Sequence, residues 1–212
     1  MRKYKEDVST FADINAMMNR IQGKRILSQN WGTLTAYDVL IDQADGSQEL
    51  ALREMYDSGD GVAIILYNTL KNTVVLIRQF RLSAYIRAID EGIIYEVPAG
   101  LLEGANPEER VRAETFEETG YRIQEVELVA KNFASPGAHM EYMYLYIAEV
   151  RDEMKEGLGG GLAEEGENIE VVEINFIKAL QFLKEGIIQD AKTIILLQYL
   201  CLHHERLGLR AH

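Results

Sequence analysis

Three glutamates, Glu114, Glu117 and Glu118, stand at i, i+3 and i+4. On a helix this spacing puts all three carboxylates on one face. Like charges so placed repel by a few tenths of a kcal/mol per pair (~0.2–0.5) when exposed. A hard cation bound through oxygen removes that repulsion. Magnesium uses few protein carboxylates, keeps waters and takes its remaining ligands from substrate phosphates, so the chemistry on offer is metal-assisted attack on a phosphate group. A solvated acidic helix face is the plain alternative for the glutamates taken alone.

The elements that must position them are legible around the cluster. Asn106 suits an N-cap, Pro107 the first helical position and Glu109 a capping-box acid, while Gly120 suits the left-handed residue that ends a helix. The sequence therefore predicts a helix over 107–119. Ile93 to Val97 before it looks like a strand ended by Pro98.

Upstream, Asp13 to Ile21 reads as a short helix. Thr35 to Ile41 and Gln48 to Tyr56 read as strands around an Asp45-Gly46 turn. Ala63 to Tyr67 and Thr73 to Phe80 read as a buried hairpin. Downstream, Val126 to Ala130, Tyr142 to Val150 and Ile169 to Ile174 read as strands. Phe176 to Leu183 and Asp190 to Glu205 read as helices, the last largely buried. The acidic, glycine-rich run 151–168 reads as a mobile loop. This mixture indicates an α/β or α+β layered fold, a mixed sheet between helices. The Ser58-Gly59-Asp60-Gly61 turn divides an N-terminal β-rich arm, residues 1–58, from the main domain, residues 59–212.

The chain has 212 residues, a formal charge of −12 and one cysteine, Cys201. The negative charge argues against a duplex nucleic-acid binder. It leaves anionic small substrates open, because bound divalent cations invert the local charge. The cysteine count fits a reducing compartment. No apolar run is long enough for a membrane span and the first ten residues lack a leader-like core, so a soluble cytoplasmic protein with no membrane partner is expected.

The segment Pro98 to Tyr121, PAGLLEGANPEERVRAETFEETGY, resembles the Nudix box. Gly100, Glu114, Glu117, Glu118 and Gly120 match the box positions. The loop before the helix is one residue shorter than the box, and Asn106 stands near its first glutamate. Thr115 is smaller and more polar than usual. Ala113 occupies the place of the box arginine that orients the glutamates, with Arg110 and Arg112 as substitutes from other helix angles.

Further matches, Arg25 to Trp31, Arg78 to Arg81, Ser135 to Gly137 followed by Glu141, and Asp190 to Thr193, resemble the branch of the Nudix family that cleaves ADP-ribose and GDP-mannose. Ile26-Leu-Ser28 with Asn30 and the Gly159-Gly-Gly161 loop look nearest to the GDP-mannose-cleaving members. The resemblance implies a Nudix fold and hydrolysis of the diphosphate bond of a nucleoside diphosphate sugar, first GDP-mannose and otherwise ADP-ribose. A Nudix domain that senses a nucleotide sugar without cleaving it is the third reading. The resemblance further implies Mg2+, with Mn2+ as a substitute, and a homodimer formed through the N-terminal arm.

It also implies site residues. The Ala99 carbonyl, Glu114, Glu118 and Glu167 would hold metal, and Glu117 would be a further ligand or orient water. Glu167 would be the general base, with Glu164, Glu165 and Glu170 as rivals. Trp31 would stack on the base, and Arg53 and Glu54 would contact the nucleotide. Arg81 would hold phosphate. Gly100, Leu101, Glu141 and Lys192 would line the substrate.

Overall fold

The computed structural model describes residues 20–162 and 168–211. The helix expected over Asp13 to Ile21 falls almost wholly outside the described residues, and Ile21 itself opens a strand. Glu164, Glu165 and Glu167 also lie outside them.

The described chain forms two compact units. One comprises the described part of Met1–Ser58 together with Ser135–Glu141. It holds an antiparallel sheet in the order β1 (Ile21–Gln29), β2 (Thr33–Asp42), β3 (Gln48–Asp57). The Asp45-Gly46 turn forms as its residues demand. Asp45 accepts hydrogen bonds from the Ser47 backbone N–H at 2.9 Å and the Ser47 hydroxyl at 2.6 Å, and Gly46 takes a positive φ of 83°. Segment 135–141 joins this unit by main-chain bonds: Tyr56 N–H donates to the Ala138 carbonyl and Met140 N–H to the Tyr56 carbonyl.

The second unit, Gly59–Ala134 with Tyr142–His212, is built on a mixed seven-stranded sheet. Its main path runs β10 (Glu170–Asn175), β5 (Thr73–Phe80), β4 (Gly61–Asn68), β9 (Tyr142–Glu149), β8 (Glu127–Phe133). β4 and β9 pair in parallel, and the other pairs are antiparallel. Two short strands branch from the path, β6 (Ile93–Glu96) on β5 and β7 (Ala99–Leu101) on β4.

All eight residues of β4 are buried, so the strand must be covered on both faces. Val62, Ile64 and Leu66 pack in one apolar cluster with Val111 of α2 (Pro107–Thr119). Ala63, Ile65 and Tyr67 pack in the other with α3 (Phe176–Lys184) and α4 (Ala191–Leu202), through Phe176, Leu196, Leu197 and Leu200. Each such aliphatic side chain contributes about 1.5–3 kcal/mol relative to exposure. The result is the mixed sheet between helices that the sequence implies.

Three details depart from the sequence reading. A short helix, α1 (Leu82–Ile86), follows β5 where none is expected. The expected single helix to Glu205 breaks at His203, and α5 (His204–Leu207) follows. The glycine-rich segment is tethered in its described part rather than loose. Glu156 and Gly157 donate backbone N–H bonds to the Gly120 carbonyl, Gly160 to that of Glu118 and Gly161 to that of Glu117. The last carbonyls of α2 lack partners within the helix, and this segment supplies them.

Candidate active site

The glutamate helix forms as its caps dictate. Asn106 Oδ1 accepts from the N–H groups of Glu108 at 2.9 Å and Glu109 at 3.3 Å, and Gly120 ends the helix at φ 76°. A Cβ at Gly120 would stand 2.1 Å from the Gly157 carbonyl oxygen, so both backbone conformation and the tethered loop require glycine there.

The helix turns its acids inward. Glu114 is 5% exposed and Glu118 is 1% exposed, which rules out the solvated-face reading for these two. Glu117 is half-buried. Both buried carboxylates meet β7. Glu118 Oε2 accepts from the Ala99 backbone N–H at 3.0 Å. The Glu114 carboxylate lies against Gly100 so closely that a Cβ on Gly100 would stand 1.8 Å from Glu114 Oε1.

The ladder fixes where the Ala99 carbonyl points. Ile64 N–H bonds the Pro98 carbonyl at 3.0 Å and Leu102 N–H bonds the Asp60 carbonyl at 2.8 Å. Ala99 sits opposite Ala63 between these bonded positions. In an antiparallel ladder such a residue turns both its N–H and its C=O away from the partner strand. The Ala99 carbonyl therefore leaves β4 on the side where its N–H meets Glu118.

Arg110 completes the helix face. Its Nη2 lies 2.5 Å from Glu114 Oε1 and its Nη1 3.8 Å from Glu117 Oε2, while Nε donates to the Leu101 carbonyl at 2.9 Å. Arg112, the other substitute, instead bonds the Gln124 carbonyl and Glu108. Arg110 thus stands where a residue orienting the glutamates is needed, with Ala113 in the box position.

A second group of charges adjoins through the same stretch of chain. Glu96, at the end of β6, is 2% exposed. It accepts from Arg81 Nε at 2.8 Å, from Arg81 Nη2 at 2.9 Å and from Lys192 Nζ at 2.9 Å. Burial alone would raise the Glu96 pKa; the Arg81 hydrogen bonds and the Lys192 charge outweigh it and hold the carboxyl at about 2. Burial likewise pulls the Lys192 ammonium down, and the charges of Glu96 and Asp190 more than offset it, leaving it above its usual range.

Asp190 serves two ends. Oδ1 accepts from Lys192 Nζ at 2.8 Å, and Oδ2 accepts from the Thr193 N–H at 2.9 Å as the cap of α4. Thr193 Oγ1 accepts from the Val97 N–H at 2.8 Å. The Asp190-Ala-Lys-Thr193 run is therefore a cap and an anchor for the β6–β7 segment as well as a source of a lysine.

Within this unit the fold gathers Arg81, Ala99, Gly100, Leu101, Glu114, Glu117, Glu118 and Lys192 around the strip from Glu96 to Leu101. Sequence reasoning missed Glu96 and did not choose between Arg110 and Arg112. A lone glutamate at a strand end carries no spacing signal, and only the approach of Arg81 and Lys192 marks it.

Trp31, Arg53, Glu54 and Glu141 belong to the other unit, whereas Glu170 stands on β10. Trp31 is 73% exposed and stacks loosely on Tyr56, with ring centroids 6.4 Å apart. Arg53 and Glu54 are exposed on β3, opposite Tyr37 and Ala36. Glu141 lies 3.6 Å from His139 Nδ1, whose Nε2 is 2.8 Å from Ser58 Oγ. Glu170, the described rival for the base, pairs with Arg78 at 2.8 Å.

The helix that buries two carboxylates against a strand whose next residue must be glycine lies within the segment that resembles the Nudix box. The NUDIX domain model matches residues 57–197, and the chain belongs to this family. It is 43% identical over 176 residues to a GDP-mannose pyrophosphatase of Klebsiella pneumoniae, covering 83% of this chain and 88% of that protein. It is 43% identical to the GDP-mannose pyrophosphatase of Escherichia coli K12 and 41% to that of Salmonella arizonae. Each of these alignments covers 85% of this chain and 93% of the relative.

Proposed function

We propose that this chain is a divalent-metal-dependent Nudix pyrophosphatase that hydrolyses GDP-mannose to GMP and mannose 1-phosphate. The observation that carries the reading is the burial of Glu114 and Glu118 against Ala99 and Gly100. The names of the relatives, aligned over most of their length, supply the substrate.

The donor set suits a hard cation. No three His, Cys, Asp or Glu side chains gather into a complete cage among the described residues. Two carboxylates and the Ala99 carbonyl make an incomplete, all-oxygen set, the kind magnesium uses when waters and phosphate fill the rest. Glu114, Glu118 and the Ala99 carbonyl would hold Mg2+, with Mn2+ as a substitute. When bound it supplies neutralisation of phosphate charge and a more acidic water.

The chain's own residues do the rest. Arg110 holds Glu114 and Glu117 in line. Arg81 presents a planar fork suited to a phosphate oxygen, and Lys192 a second cation. Gly100 and Leu101 line the substrate beside them. Glu117 orients the attacking water, and Glu167, as general base, takes its proton. Trp31 stacks on guanine, and Arg53, Glu54 and Glu141 contact the nucleotide sugar. Ile26, Leu27, Leu50 and Leu52 are large apolar side chains exposed on β1 and β3, and they support a homodimer through this sheet.

A substrate panel tests the proposal. With magnesium, GDP-mannose should be cleaved with the highest kcat/KM, ADP-ribose more slowly, and EDTA should stop both. Tight binding of GDP-mannose without turnover would establish the sensor reading instead. A preference for ADP-ribose would move the chain to that branch.

A further inference from the structure

Glu96 matches no expected ligand or substrate contact, yet it is a buried charge beside the site. Its side chain is 3% exposed, against 41% for that of Arg81 and 18% for that of Lys192. The acid is the least exposed of the three, and Arg81 is the most open to solvent. Arg81 gives Glu96 its Nε and one Nη2 hydrogen. A guanidinium has five N–H donors in a rigid fork, so the Nη1–Nη2 edge lies outside both bonds. Lys192 is held on its other side by Asp190, which completes an alternating, electrically balanced row of four charges.

The row is tied to the glutamate helix by a very short stretch of backbone. Three residues after Glu96, Ala99 bonds Glu118, and in between Val97 bonds Thr193 and Pro98 bonds Ile64. Every residue of the link is pinned, so whatever Glu96 holds is registered against Glu118.

We propose that Glu96 is a positioning residue, fixing the Arg81 guanidinium and the Lys192 ammonium as one rigid clamp for the diphosphate of the substrate. This rests on the pyrophosphatase reading above. A planar fork and a point-charge ammonium, locked side by side, match two oxygens of a diphosphate. Without the central acid the two cations would repel, Arg81 would lose both bonds to Glu96 and Lys192 would keep Asp190 alone, so substrate binding would have to restore the lost order. The depressed Glu96 pKa agrees, because the carboxylate stays charged wherever the enzyme would work.

The test uses Glu96→Gln, with Glu96→Asp as the milder variant, in the full chain. We expect Glu96→Gln to raise the KM for GDP-mannose about tenfold, as for loss of a charge-assisted hydrogen bond, with kcat changed less. Calorimetric binding of GDP-mannose in EDTA should weaken by a similar factor. Glu96→Asp should recover part of both. In an Arg81→Ala, Lys192→Ala background the Glu96→Gln change should add under about twofold, since coupled residues are non-additive.

Unchanged KM and binding with a lowered Tm would make Glu96 purely structural and overturn the proposal. Effects that multiply in the double-cation background would overturn it too, as would failure of both variants to fold. A wild-type chain that neither binds nor cleaves GDP-mannose or ADP-ribose would instead overturn the pyrophosphatase reading, a result separable from the others.

Discussion

Arg110 Nη2 lies 2.5 Å from Glu114 Oε1, one helical turn further along α2. The same guanidinium reaches Glu117 and clasps the Leu101 carbonyl, so a single side chain ties strand, helix and two acids together. The position that carries arginine in the Nudix box is Ala113 here, and the orienting cation comes from one turn earlier.

Arg110→Ala should therefore lower kcat by roughly ten- to a hundredfold, since small misplacement of a catalytic group costs rates of that order. Arg110→Lys should recover only part, because an ammonium lacks the fork that spans carbonyl and carboxylate. Steady-state kinetics on the three proteins checks this, and wild-type kcat in Arg110→Ala would show that Glu114 needs no such support.

Glu118→Gln keeps the shape and an oxygen to accept the Ala99 N–H, but removes the charge. Turnover should fall by at least about a hundredfold, the scale for losing one preorganised electrostatic partner. The Tm should move by only a few degrees, about what 1 kcal/mol does in a domain of this size. Full activity in this variant would remove Glu118 from the metal set.

Gly100→Ala would place a methyl group on the Glu114 carboxylate. We expect activity to collapse while the apolar clusters on both sheet faces keep the fold, as read by circular dichroism and by turnover in parallel. An active Gly100→Ala protein would mean that Glu114 can leave Gly100 without loss.

Glu96 sets an acid limit on stability. Its folded pKa of about 2 lies below the usual 4.5, so its contribution is fully present above 4.5 and is lost as pH falls toward 2. Denaturant midpoints of the wild type should decline across that window. In Glu96→Gln the midpoint should be lower at pH 7 and the decline shallower, because one linked proton is gone. An identical slope in both proteins would assign the acid limb to other carboxylates.

The sequence by itself determined the local elements. Asn106, Pro107 and Gly120 define the ends of the glutamate helix because caps act over a few residues, and the i, i+3, i+4 spacing puts its acids on one face at any location. The run of apolar residues in β4 likewise announces a strand covered on both sides. Which way that face turns is a tertiary matter. The contact of Glu114 with Gly100 and of Glu118 with Ala99 needs β7, a three-residue strand that exists through its pairing with β4. The choice of Arg110 over Arg112 depends on which flank of α2 meets Leu101. The Glu96 row unites residues 81, 96, 190 and 192, whose distance in sequence carries no periodic signal. Local patterns are short-range and readable in the chain, whereas charges buried together are selected by the packing that excludes water around them.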